Sequence, residues 1–332
     1  MPPPSAPELL TPRSDQVARF EGDLARLIDV AADRVLVAVS GGPDSVALLL
    51  LAHEVLGDRC HAATVDHGIR AAAAAEAAFV ARLCDERGIA HRILTGPMPP
   101  RAGRTANLSA RARAMRYALL ERHLAECGGG WLATGHHADD QLETLVMRLN
   151  RGAGVAGLSG VRVRGGRIVR PLLGWRRAEL VALVAQCGIK PVSDPSNADD
   201  RFDRARLRKE LAGAGWLDAG GWAASAAALA DAEEALDFAT DLLMQEHCDI
   251  DDVGVGFVAE GLPFELRRRL TARCLDHVQP HIDPRGDALV RLVRTLDAGG
   301  IATLGGVRAR AGKTAHGRPY WRFAAAPPRR SG

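Results

Sequence analysis

The chain has 332 residues, 47% of them hydrophobic and 25% charged, enough for one large globular domain and a smaller one. A formal net charge of +3 is too mild to establish nucleic-acid binding, although only Lys190, Lys209 and Lys313 are lysines, so nearly all positive charge is arginine, the better phosphate fork. The six cysteines, Cys60, Cys84, Cys127, Cys187, Cys248 and Cys274, are scattered without C-x-x-C spacing, which argues against a zinc ribbon or an iron–sulfur site and suits a reducing compartment.

Residues 1 to 13 read as a disordered, proline-rich lead that lacks the basic and apolar regions of a signal peptide. No apolar run reaches membrane-spanning length, so a cytoplasmic protein that meets no membrane is expected. Val17, Phe20, Leu24, Leu27 and Ile28 recur at helical spacing and predict a helix ahead of the first strand. Val35 to Val39 is an apolar run suited to a strand buried on both faces. Ser40-Gly41-Gly42 breaks it, Pro43 suits a first helical turn, and Asp44 to Ala52 continue helically. Strands then alternate with helices: strands over 60–65, 91–94 and 131–134, helices over 72–87, 106–126 and 139–150. That rhythm predicts an α/β fold, a doubly wound, mostly parallel sheet with helices on both faces. A hairpin is expected around Gly165-Gly166 and a helix over 175–187. Composition shifts near Gly213 to Gly221, so a boundary is placed after residue 215. Residues 216–332 are expected to form a smaller, mainly helical unit: a long helix over 222–247, helices near 263–277 and 285–297, and a β-like tail.

Ligands of open parallel sheets bind beyond the carboxyl ends of the strands. Three polar stretches fall there: Ser40 to Ser45 (SGGPDS), Val65 to Gly68 (VDHG) and Thr134 to Gln141 (TGHHADDQ). The first lacks the lysine of a Walker A loop. A strand-to-helix turn nevertheless aims backbone N–H groups at one point, and phosphate is the usual guest. Gly41 and Gly42 permit close approach, and the Ser40 and Ser45 hydroxyls can donate. Asp44 would repel a bare anion and makes sense if Mg²⁺ bridges the two. The plain alternative is a tight turn with a capping serine. Asp140 and Glu143 share one helix face, while Asp139 and Asp140 also suit capping, one of the pair capping and the other working.

The SGGPDS turn resembles the PP-loop of the ATP pyrophosphatase superfamily. VDHGIR (65–70), NLSARARAMRY (107–117), ATGHHADDQLETLVMRLNRGAGVAGLSG (133–160), RPLLGWRRAEL (170–180) and SDPSNADDRFDRARLRKEL (193–211) resemble, in that order, the tRNA(Ile)-lysidine synthase family. The resemblance covers about residues 30–212 and implies a catalytic ATP-binding domain over 14–215 with a tRNA- or substrate-binding unit after it. It further implies that ATP adenylates C2 of the wobble cytidine in CAU-anticodon tRNA(Ile), and that free L-lysine displaces AMP to give lysidine. Ser40, Gly41, Gly42, Pro43, Asp44 and Ser45 would then hold ATP, with Asp44 as the Mg²⁺ ligand. Catalytic roles would fall to Asp44, Arg113, His136, Asp140, Glu143 and Arg204. Arg113 would face the α-phosphate, His136 phosphate or the cytosine carbonyl, and the two acids the lysine ammonium. Arg206, Arg208 and Lys209 would grip tRNA, although Ala205 stands where the family usually has asparagine. A homodimer is compatible with this reading.

Basic and aromatic residues of the tail, among them Arg308, Arg310, Tyr320, Trp321 and Arg322, suit RNA contact or a solvated β module equally. Two other functions remain open at this point. His136, His137, Asp139, Asp140, Asp66 and His67 could form a dinuclear metal cluster for phosphoester hydrolysis. The chain could also be a non-catalytic nucleotide- or RNA-binding module.

Overall fold

The computed structural model describes residues 9–66, 68, 71–97, 108–192, 203–214, 216–282 and 286–327. Most of the proline-rich lead, His67 and the Ser193 to Phe202 part of the 193–211 motif lie outside these residues. The chain divides into two compact units, Met1–Ala230 and Asp231–Gly332.

In the first unit, α1 (Ser14–Ala25) precedes β1 (Val35–Ala38) and α2 (Pro43–Leu56). Then follow β2 (Cys60–Asp66), α3 (Ala71–Glu86), β3 (Ala90–Thr95), α4 (Leu108–Glu126), β4 (Trp131–Ala133) and α5 (Ala138–Leu149). A short α6 (Val155–Leu158) leads into the hairpin β5 (Arg164–Gly165) and β6 (Ile168–Val169), then α7 (Arg177–Gln186), α8 (Asp203–Ala212) and the start of α9 (Ala219–His247). The sheet order is β3-β2-β1-β4-β6-β5, and every pairing is parallel except that of the hairpin. β1 is therefore flanked by β2 on one side and β4 on the other. The chain reverses its direction of winding there, and the carboxyl ends of β1 and β4 frame the crevice where such sheets bind ligands.

α2 is apolar all round, with every residue from Val46 to Ala52 buried, because the α1 and α7 helices cover it on one side of the sheet. The other sheet face is closed by α4 through Met115, Leu119, Leu120 and Leu124. The buried Trp175 and the half-buried Trp131 each satisfy the indole N–H, donating to Asp23 Oδ2 at 3.0 Å and to Asp33 Oδ2 at 2.8 Å. All six cysteines are free, and burial pushes the Cys60 and Cys84 thiols up to about 12, so they act as packing residues. No helix among the described residues is long and apolar enough to cross a membrane.

The division between units falls after Ala230, inside α9, and not after residue 215. The reason is packing: Ala219, Trp222 and Ala223 of α9 join Ala138, Leu142 and Val146 of α5 in one apolar cluster. The second unit is also richer in strand than expected. β7 (Cys248–Asp251) and β8 (Gly254–Val258) join β9 (Ile301–Leu304), β10 (Val307–Lys313) and β11 (Pro319–Ala325) in an antiparallel sheet of order β7-β8-β11-β10-β9. Its inner residues Val255, Phe257, Trp321 and Phe323 pack with Leu270, Leu275, Leu292 and Val293 of α10 (Phe264–Val278) and α11 (Gly286–Asp297). Within this unit Arg269 of α10 is buried against Glu233 and Asp237 of α9 and Glu265 of its own helix, at 2.6 to 2.9 Å. Arg269→Ala would leave Glu233 buried without its cation and is expected to cost about 3–5 kcal/mol, measured by urea denaturation. A loss under about 1 kcal/mol would mean that solvent screens the cluster.

Candidate active site

The loop after β1 is built by its own side chains. Gly41 takes φ +85°, and its carbonyl accepts the Val192 N–H at 2.9 Å; a Cβ there would sit 3.2 Å from Val192 Cγ2. Gly42 caps α2 in an extended conformation and Pro43 occupies its first turn, as Pro at that place requires. The Ser45 hydroxyl accepts the Ser40 N–H at 3.1 Å and donates to the Gly42 carbonyl at 3.0 Å, while Ser40 Oγ stands 3.2 Å from it. The loop after β4 is pressed against this one. At Gly135 a Cβ would meet the Asp44 carbonyl oxygen at 3.0 Å and the Ser45 nitrogen at 3.2 Å.

Where the two loops meet, His137 is buried among three carboxylates. Its Nε2 lies 3.6 Å from Asp44 and 3.5 Å from Asp140, and its Nδ1 lies 3.5 Å from Asp139. Burial alone would push the imidazole down; the Asp139 and Asp44 carboxylates beside it, with the charges of Asp140 and Asp44, outweigh that and raise it to about 10. His137 Nδ1 makes no hydrogen bond of its own, so the attraction is ionic. Asp139 accepts the Arg177 backbone N–H at 2.7 Å and is lowered to about 2, chiefly by His137. Asp140 caps α5, accepting the His137 N–H at 3.1 Å. Asp44 Oδ1 is buried with no hydrogen-bond partner, its recorded cation being Arg177 Nε at 3.9 Å. An anionic oxygen left in that state fits a hard cation. Mg²⁺ takes one or two carboxylates and completes its shell with water and substrate phosphate, so a single aspartate at a phosphate loop is a suitable donor set.

The expected site residues separate into groups. Ser40, Gly41, Gly42, Pro43, Asp44 and Ser45 form the loop and the first turn of α2, while His136 lies in the loop after β4 and Asp140 in the first turn of α5. His136 Nδ1 lies 2.9 Å from the Thr134 hydroxyl. Glu143, one turn beyond Asp140, is buried and bound in two bonds, Arg208 Nε to Oε1 at 2.5 Å and Nη2 to Oε2 at 3.0 Å. Arg208, expected on the tRNA face, is turned inward because this buried carboxylate requires a cation. Arg206 and Lys209 are exposed on α8; the Arg204 side chain lies outside the described residues. Arg113 is exposed on α4, donating to Tyr117 Oη at 3.3 Å. Arg177 was not placed at the site by sequence reasoning, His137 entered only in the dinuclear-metal reading, and Asp139 entered there and as the alternative to Asp140. The position of His137 before the helical Ala138-Asp139-Asp140 run marks it as an N-terminal cap residue and was the available signal. Among the described residues, which do not include His67, no group of three or more His, Cys, Asp or Glu side chains is arranged to hold a metal.

The PP-loop domain family matches residues 16–214, so the fold and the loop define an ATP-using protein of the PP-loop class. The tRNA(Ile)-lysidine synthase of Novosphingobium aromaticivorans is 47% identical over 332 residues, covering 96% of each chain. That of Zymomonas mobilis is 38% identical over 302 residues, covering 89% of each. The chain belongs to the tRNA(Ile)-lysidine synthase family. A U34-tRNA thiolase structure from Methanococcus maripaludis shares the fold at a TM-score of 0.51 and 20% identity, over 64% of this chain and 76% of that one.

The His137 cluster makes stability depend on pH at both ends. A histidine raised to about 10 from its ordinary 6.5 contributes stability that is full below about 6.5 and lost as pH rises through about 10. Asp139, lowered to about 2, contributes above about 3.8 and loses it as pH falls toward 2. Urea denaturation between pH 6 and 10 should show falling stability in the native protein and a flatter profile in His137→Gln. An equal slope in both would overturn the assignment.

Proposed function

We propose that the chain joins free L-lysine to C2 of the wobble cytidine in CAU-anticodon tRNA(Ile), consuming ATP and releasing AMP and pyrophosphate, to give lysidine. The observation that carries this reading is the meeting of the phosphate loop with the carboxylate-rich turn after β4, around a buried Asp44 oxygen that accepts no hydrogen bond. The Ser40–Ser45 loop receives the pyrophosphate end of ATP through its backbone N–H groups and the α2 N-terminus. Asp44 holds Mg²⁺, which supplies charge neutralisation on the phosphates. Arg113 offsets charge at the attacked α-phosphate, and His136 bonds phosphate or the cytosine carbonyl.

The second step needs a neutral amine. Free lysine titrates near about 10.4 and arrives protonated. Asp140 accepts that proton, its geometry placing it beside Asp44 through the shared His137. Glu143 is held by Arg208, so it acts by positioning α8 and the ammonium pocket while Asp140 takes the proton. Arg204 completes the catalytic set, and Arg206 and Lys209 meet the tRNA backbone.

The test is ATP-dependent incorporation of radiolabelled lysine into a CAU-anticodon isoleucine tRNA transcript, with a methionine tRNA as control. Label in the isoleucine tRNA alone is expected. Pyrophosphate release without label would move the question to another nucleophile. Asp44→Asn should abolish tRNA-dependent pyrophosphate release while tRNA retention on a filter stays intact. Asp140→Asn should lower kcat by about 10²–10⁴-fold. Wild-type turnover in Asp140→Asn would pass the proton-accepting role to Asp139 or Glu143.

A further inference from the structure

The Arg170 to Leu180 motif packs through Leu172, Leu173, Trp175 and Leu180, all buried, but its first residue is a cation with a different setting. Arg170 follows β6 directly, so it stands at the carboxyl edge that β6 shares with β4 and β1. The Val169 carbonyl accepts the Thr134 N–H at 3.1 Å, which ties this position to the strand end leading into His136 and His137. α4 starts from the carboxyl side of β3 and returns to the start of β4. Its first half, with Arg113 and Tyr117, therefore lies toward the same edge.

Two guanidinium groups converge on the Tyr117 phenol. Arg113 Nη2 donates to Tyr117 Oη at 3.3 Å, with its Cζ 5.0 Å from the ring centre. Arg170 Nη1 donates to the Arg162 carbonyl at 2.7 Å, but Arg170 Nε is buried and has no partner. Burial pushes the Arg170 guanidinium below its ordinary value, attraction to Tyr117 opposes this, and repulsion from Arg113 adds to it. A buried donor without an acceptor, beside a like charge, is unfavourable until an anion completes it.

We propose that Arg113, Arg170 and Tyr117 form a two-guanidinium site for a phosphoryl oxygen of the nucleotide substrates. The same chemistry is offered by the ATP α-phosphate and by the tRNA backbone beside the reacting cytidine. The site rests on the adenylation reading above for its place in the reaction, and extends it by a second arginine. Arginine suits the task because its planar fork donates two parallel hydrogen bonds to phosphate oxygens.

The test uses the full chain with Arg170→Ala, Arg170→Lys and Tyr117→Phe. ATP affinity is measured by calorimetric titration, and affinity for the isoleucine tRNA transcript by filter binding over a range of salt. Weakening of about tenfold in ATP affinity alone would assign the site to ATP. Weaker tRNA binding with a salt slope shallower by about one would assign it to the tRNA backbone. Arg170→Lys should recover part of either loss, since it restores the charge and not the fork, and Tyr117→Phe should show a smaller loss. Unchanged affinities for both ligands in a folded variant overturn the proposal, as does a lowered melting temperature with both affinities intact, which would make Arg170 a support of the hairpin only. Should Arg170→Ala fail to fold, Arg170→Lys carries the same readouts. Both are binding measurements, so a wild-type protein that releases no pyrophosphate overturns the adenylation reading without deciding this one.

Discussion

The arrangement at the crevice depends on one buried imidazole. His137 stands between Asp44 of the β1 loop and Asp139 and Asp140 of α5, so a single positive charge holds carboxylates from two strand ends within 3.6 Å of it. Three carboxylates this close would repel one another in a low-dielectric setting. With His137 charged they become a joint that fixes the spacing of the two loops. Arg177 reinforces it from α7, through its backbone N–H to Asp139 and its side chain toward Asp44. On the proposed function, the remaining negative charge at Asp44 is what would receive a cation with its phosphates.

The same logic extends outward along α5. Asp140 and Glu143 lie on one helix face, and Arg208 reaches both, at 3.8 Å and 2.5 Å. A buried glutamate without that guanidinium would be strongly unfavourable, so α8 docks where it does because Glu143 needs a partner. The basic side chains exposed on α8 take their direction from that anchor.

Much of this was legible in the sequence, for identifiable reasons. The apolar run Val35–Val39 followed by Ser-Gly-Gly-Pro could only be a buried strand entering a helix, and Pro43 marked the helix start to the residue. The three polar stretches at strand ends followed from alternation alone. What was not legible depended on tertiary charge pairing. Nothing in the Arg204-Ala-Arg-Leu-Arg208 spacing shows that the last arginine turns inward, because its partner Glu143 lies far off in sequence. His137 was overshadowed by His136 for the same reason: its three carboxylates meet it only once the strands are side by side. β7 and β8 were missed because their few alternating apolar residues sit among aspartates and glycines, a weak signal beside the long helix that precedes them.

The hydroxyl of Ser45 has a bearing on how tightly the loop could hold a phosphate. The Ser40 amide is satisfied by Ser45 Oγ, which in turn satisfies the Gly42 carbonyl. A phosphate that took the Ser40 amide, as proposed above, would replace an internal hydrogen bond, and its net gain would be reduced accordingly. On the proposed role of the loop, its affinity for a phosphate would fall below what its donor count suggests, because those donors have partners of their own to return to.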